Sequence, residues 1–254
     1  MSAQANPRNS NVVALNNESH RNLTVVTKRG AEYGEATHLV PVVANELRNL
    51  VLEYPVCITK DPSNGQFSLC VLLGFEPGEN LYLSGESWDA QYIPMHVRRQ
   101  PFMVGYKNPQ AGAGEDVGKD KGAVITLDLS SKRIHENGGE GERLFDDQGN
   151  NTPFMQQVSD LMGQLMAGME STTAFLKALA DNDLIEPAHI NVQFASGEQK
   201  RYEGLYTVNE EKLQKLDADK LVHFHQHGYL QAAYWLGASM GQVRKLIFLK
   251  NKLG

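Results

Sequence analysis

Thirty consecutive residues, 73–102, read LGFEPGENLYLSGESWDAQYIPMHVRRQPF and limit the fold more than any other part of the chain. Three prolines, two glycine turns, Trp88, several aromatics and the pair Arg98–Arg99 fall within them. Ordinary amphipathic periodicity does not require so many special residue types so close together. The stretch is therefore expected to be irregular and turn-rich, with residues 81–83 as a short strand inside it.

The flanking sequence has regular patterning. Residues 23–27 are β-branched and read as a strand. Val43, Leu47, Leu50 and Val51 recur at helical spacing, which predicts a helix over 41–53. Residues 54–59 and 67–75 read as a hairpin around Asp61-Pro62-Ser63-Asn64-Gly65, where Pro fixes φ and Asn-Gly accepts positive φ. Residues 102–106 and 123–129 are further strands, and the Gly- and Ala-rich residues 108–122 read as a mobile loop. Beyond 150 the character changes. Thr152 or Asn151 can cap a helix that starts at Pro153 and carries an apolar stripe from Met155 to Met169. A second helix is expected over 172–180, then a hairpin over 190–208. Asn209 caps another helix, and two more are expected over 218–227 and 229–249.

Hydrophobic residues make up 41% of the 254 and charged residues 21%, enough for one large domain or two closely packed halves. A net charge of −6 gives no general attraction to nucleic acid. No apolar run approaches the ~20 residues a bilayer requires. The first 22 residues are rich in Asn, Ser and Gln, read as a flexible tail and carry no secretory pattern. The two cysteines, Cys57 and Cys70, are expected to be reduced and buried, in a cytoplasmic protein; a bridge between them is conceivable where their strands pair.

Chemistry-bearing groups are few. In the run HFHQH, His223, His225 and His227 share a face on a strand, whereas on a helix only His223 and His227 do. Asp217 as a cap and Gly228 as a terminator favour the helix. A structural zinc site needs four ligands and no neighbouring Cys or His completes one, so a solvated helix end is the simpler reading. His223 and His227 stand as the metal candidates. Arg98 and Arg99 can clamp a carboxylate or phosphate, or one can pair internally with Glu79, Glu86 or Asp89, which is simpler. Trp88 and Tyr92 can flank a ligand, and Glu79 lies beside a tight turn. There is no G-x-S-x-G, no Walker A sequence and no strand-linked G-x-G-x-x-G, and Gly112-Ala113-Gly114 lacks a phosphate-binding context.

An ordered series of motifs resembles the SapC family, bacterial proteins named after a gene in an S-layer locus. It includes His38-Leu39-Val40-Pro41, Tyr54-Pro55-Val56, Leu73-Gly74-Phe75, Gly78-Glu79-Asn80-Leu81-Tyr82, Trp88, Tyr92-Ile93-Pro94 and Arg98-Arg99-Gln100-Pro101-Phe102. Later come Leu144-Phe145-Asp146, Thr152-Pro153 and Gly204-Leu205-Tyr206. The resemblance spans roughly 23–249. It implies no established reaction, cofactor or catalytic set. It does imply association with halogenase-like, cupin-like and TonB-dependent-receptor proteins, and hence a nutrient-uptake or modification system.

The expectation is an α+β fold: a flexible tail over 1–22 and a domain over 23–249, antiparallel and β-rich to about 150, then mainly helical with one hairpin. The expected function is a non-catalytic, cofactor-free accessory protein that binds a protein or peptide through Trp88, Tyr92, Arg98, Arg99 and Glu79. The alternatives are a metal-dependent enzyme using His223 and His227, and a small-molecule sensor built on Trp88 and Tyr92.

Overall fold

A computed structural model describes residues 11–106 and 122–253. In its first part the strands are β1 (Val12–Ala14), β2 (Thr24–Val25), β3 (Leu39–Pro41), β4 (Val56–Lys60), β5 (Phe67–Leu72), β6 (Leu83–Ser84), β7 (Ser87–Trp88) and β8 (Phe102–Tyr106). After them come β9 (Ala123–Asp128), β10 (Ile134–His135), β11 (Glu142–Arg143), β12 (Ile185–Pro187), β13 (Ile190–Gln193), β14 (Gln199–Tyr202) and β15 (Leu205–Val208). The helices are α1 (Leu47–Leu50), α2 (Met95–Arg98), α3 (Pro153–Asp181), α4 (Glu210–Gln214), α5 (Ala218–Gln226), α6 (Tyr229–Ser239) and α7 (Val243–Asn251). All described strand pairings are antiparallel, and four of the seven helices follow residue 200, so the fold is α+β.

The chain divides into two compact units, each made of two stretches. One comprises Met1–Lys28 with Arg99–Gln164, the other Arg29–Arg98 with Leu165–Gly254. None of the three boundaries coincides with the change of character read near residue 150.

In the first unit, β9 pairs with both β1 and β8, and β2 lies between β10 and β11. Leu23, Val25, Phe102, Leu127, Leu144, Phe145, Met155, Val158 and Met162 form its core. Arg133 is almost fully buried and donates from Nη1 to Val26 O at 2.9 Å and Lys28 O at 2.6 Å. The tail expectation is corrected from residue 12 onward: Val12, Val13 and Ala14 pair with Asp128, Leu127 and Thr126. Val13 and Leu15 pack on the core, which explains why a polar-looking stretch is held.

The second unit has a five-stranded sheet in the order β12-β15-β4-β5-β3. The β4–β5 register runs from Val56↔Val71 to Lys60↔Phe67, closed by a turn in which Gly65 sits at φ +72°. Val56, Cys57, Ile58, Leu69 and Val71 are buried, and α6 contributes Ala233 and Leu236 to the same core. Ser239 Oγ accepts from Val56 N at 3.0 Å, anchoring the end of α6 at the start of β4. Burying such apolar strands is the main favourable term in folding, about 25 cal/mol per Å².

Three further expectations change. The helix over 41–53 is only a 3₁₀ turn, Ala44–Glu46, followed by α1, because Pro41 belongs to β3 and the chain turns into β4. The two helices over 155–180 are one 29-residue helix, α3. Its Gly168 leaves room for Val43: a Cβ there would lie 2.7 Å from Val43 Cγ2. The expected helix over 229–249 is broken into α6, a 3₁₀ turn and α7. The caps are where the sequence puts them: Thr152 Oγ1 accepts from Met155 N, Asn209 from Lys212 N and Asp217 from Lys220 N. The loop read over 108–122, with its Gly112-Ala113-Gly114, falls almost wholly outside the described residues.

Candidate functional site

Within the second unit the irregular segment is tied down by one hydrogen-bonded cluster. Trp88 Nε1 donates to Tyr54 Oη at 2.8 Å, and Tyr54 Oη donates to the Tyr92 carbonyl at 2.5 Å. Tyr92 Oη donates to Glu46 Oε2 at 3.0 Å. Arg98 lies over the Tyr92 ring, its Cζ 5.2 Å from the centroid, and its Nη2 is 3.3 Å from Tyr92 Oη. Of the sequence candidates, Trp88 and Tyr92 are thus linked through Tyr54, and Arg98 lies against Tyr92.

Glu46 is the residue that sequence reasoning missed. It is fully buried and accepts from Met95 N at 2.6 Å (Oε2) and from Val43 N at 3.1 Å (Oε1). Burial raises its carboxyl above the usual range, against its hydrogen bonds and the nearby Arg98 guanidinium. Burial pushes the Tyr92 hydroxyl up to about 12, with the Glu46 charge acting in the same direction. Tyr54 is also raised, chiefly by burial. A carboxylate at the end of an apolar run, three residues after Val43, was the available signal: it reaches back to the Val43 amide as a capping residue does.

A second carboxylate does similar work. Glu53 accepts from Gln91 N at 2.9 Å and Tyr92 N at 3.0 Å and pairs with Lys245 at 3.5 Å. Glu79 accepts from Phe75 N at 2.7 Å and pairs with Lys250, so neither it nor Arg98 takes the other as partner. Asn80 donates to Glu35 O at 2.8 Å and accepts from Tyr82 N at 3.0 Å. Gly74 is required because a Cβ there would lie 2.7 Å from Glu79 O. Glu79 and Asn80, two of the family-like residues in this stretch, are thus braces that satisfy backbone donors, which buried amides demand.

Arg99 belongs to the first unit, where its Nη1 donates to Phe102 O at 2.6 Å; burial lowers its pKa. His223, His225 and His227 lie exposed on the last turn and cap of α5, and Gly228 ends it at φ +72°. Among the described residues no group of three or more His, Cys, Asp or Glu is placed to hold a metal. Cys57 and Cys70 face each other across β4 and β5, unbridged, their thiols raised by burial. Of the methionine stripe, Met155 and Met162 are core, while Met169 is exposed.

The cluster can present a rigid, partly exposed Trp–Tyr–Arg surface. Its carboxylates Glu46 and Glu53 both accept from backbone amides. A separate apolar cavity of about 120 Å³ in the same unit is lined by His38, Leu72, Phe75, Ile190 and Tyr202, not by Trp88 or Tyr92. Among the described residues no helix is long and apolar enough to cross a membrane.

Compared with known proteins, the chain matches the family model described as SapC over residues 15–246. No curated protein and no solved structure matches.

Proposed function

The chain belongs to the SapC family, and from that premise we propose that it is a non-catalytic accessory protein that binds a protein or peptide partner through Trp88, Tyr92 and Arg98. The observation that carries the reading is the bracing of these three side chains. Each is at least partly exposed, yet Glu46, Glu53 and Tyr54 fix the backbone and hydroxyl groups beneath them. Trp, Tyr and Arg dominate binding hot spots, and side chains already ordered before association lose less entropy on binding. The exposed Arg98 guanidinium, positioned over an aromatic ring, suits an acidic or carboxylate-bearing partner group.

We place this protein in the bacterial cytoplasm, in a nutrient-uptake or modification system with halogenase-like or cupin-like proteins as first partners to test. Two cysteines in 254 residues, too few for a disulfide framework, support a reducing compartment. The test is co-purification from native extract, then binary titration of the captured partner against Arg98→Ala and Tyr92→Phe. Loss of binding in folded Arg98→Ala is expected. Undiminished binding by both folded variants refutes the assignment.

A small-molecule sensor is the second reading, favoured by the cavity beside Phe75 and Tyr202. Thermal stabilisation by a compact apolar compound, lost on filling the cavity with Leu72→Phe, would support it.

A further inference from the structure

His223 and His227 take no part in the cluster described above, yet their arrangement is specific. They are four residues apart at the end of α5, a helix fixed by the Asp217 cap and by the left-handed Gly228. Four-residue spacing puts both imidazoles on one face, and their ring centroids are 4.2 Å apart. His227 Nδ1 lies 2.8 Å from the His223 carbonyl oxygen. A carbonyl only accepts, so Nδ1 must carry the hydrogen. In the neutral ring this leaves the Nε2 lone pair unprotonated, the state that a metal-ligating histidine adopts when it donates its other nitrogen to a backbone carbonyl. Tyr229 stacks on His227 at 5.4 Å and meets His223 edge-on at 6.1 Å, limiting the swing of both rings. Both histidines are exposed, so an ion can reach them directly.

We propose that His223 and His227 form a two-imidazole chelate for a divalent late transition metal, with Cu²⁺ bound more tightly than Ni²⁺ or Zn²⁺. Metal–nitrogen bonds of about 2.0–2.1 Å place two ring centroids about 4.5 Å apart at a square angle and about 5.2 Å apart at a tetrahedral one. The observed 4.2 Å lies closer to the square value, which small side-chain rotations reach. Imidazole is a borderline ligand that selects these metals over Mg²⁺ and Ca²⁺, and the order among them follows their general affinity series. With two protein ligands, the other coordination positions fall to water or to a group carried by a bound partner. His225 faces away from the pair and is not a ligand.

The test is calorimetric titration of the untagged full chain with Cu²⁺, Ni²⁺, Zn²⁺ and Mg²⁺, repeated on His223→Gln, His227→Gln and His225→Gln. The expected result is one equivalent of Cu²⁺, no binding of Mg²⁺, a loss of about tenfold or more in affinity in each of the first two variants, and none in the third. Circular dichroism of each variant confirms that α5 is retained. The proposal is overturned by absence of a one-to-one complex, by full affinity in either His223→Gln or His227→Gln, or by an equal loss in His225→Gln.

Discussion

Replacing Glu46 tests the bracing of the irregular segment more directly than any other change. In Glu46→Ala, the Val43 and Met95 amides and the Tyr92 hydroxyl lose their acceptor. Tyr92 is only half-buried, and its hydroxyl can turn to water, so the two amides decide the outcome. A buried donor left without an acceptor costs about 1–3 kcal/mol. Two of them give about 4 kcal/mol, and relief of the buried carboxyl's own desolvation returns on the order of 1 kcal/mol. A net loss of about 3 kcal/mol corresponds to a fall in Tm of roughly 6–12 °C in a chain of this size. Glu46→Gln keeps the shape and one acceptor oxygen and should lose less than half as much.

The same pair of proteins reports on ionisation. Burial raises the Glu46 carboxyl above 4.5 on folding, so the folded chain keeps this proton to higher pH than the unfolded chain. The associated stability is fully present below the unfolded value and is lost as pH rises through the folded one. Wild type should therefore gain on Glu46→Gln as pH falls from 7.5 to 4.5. The assay is differential scanning calorimetry of the three proteins across that range. A fall below 2 °C for Glu46→Ala, or a wild-type advantage that shrinks on acidification, refutes the reasoning.

Gly168→Ala sets helix propensity against packing. An exposed helical Gly→Ala gains about 1 kcal/mol, but the added Cβ meets buried Val43 at 2.7 Å, so urea denaturation should show a net loss. Asn209→Ala removes the acceptor of Lys212 N and should cost about 0.5–2 kcal/mol by the same measurement. Cys57 and Cys70 should resist a thiol-exchange reagent at pH 8 while folded and both react in denaturant, read as absorbance of the released thiolate; fast labelling of the native protein would contradict their burial. Arg98→Ala should leave Tm within about 1 kcal/mol-equivalent of wild type, since exposed cation–π contacts contribute about 0.5–1 kcal/mol.

Local chemistry was legible wherever a short-range rule governs it. Thr152, Asn209 and Asp217 cap the helices predicted for them, Asp61–Gly65 makes its turn, and Gly228 stops α5. Arrangements set by distant residues were not legible. β15 reads as the second arm of a hairpin, but it pairs with β12 and β4, and nothing in residues 205–208 encodes which strand will accept them. The apparent break in α3 came from polar residues between apolar stripes, where Ser171 and Thr172 in fact bond back to the Gly168 carbonyl. In the candidate site, residue type singled out Trp88, Tyr92 and Arg98 together with Arg99 and Glu79, of which Glu79 takes Phe75 N and Lys250 as partners. Glu46 stayed hidden because its partners, Met95 and Tyr92, are more than forty residues away.

The position of β15 has a consequence for how the chain is made. β4 is buried along most of its length and needs β15 on one side. About 145 residues separate the end of one strand from the start of the other. At ribosomal rates of about 5–20 residues per second, that is a delay on the order of ten seconds. During that time the edge of β4 that β15 covers in the folded chain has no partner strand, and open strand edges of this kind pair with other chains. The strand order of the sheet thus sets how long β4 waits for its partner during synthesis.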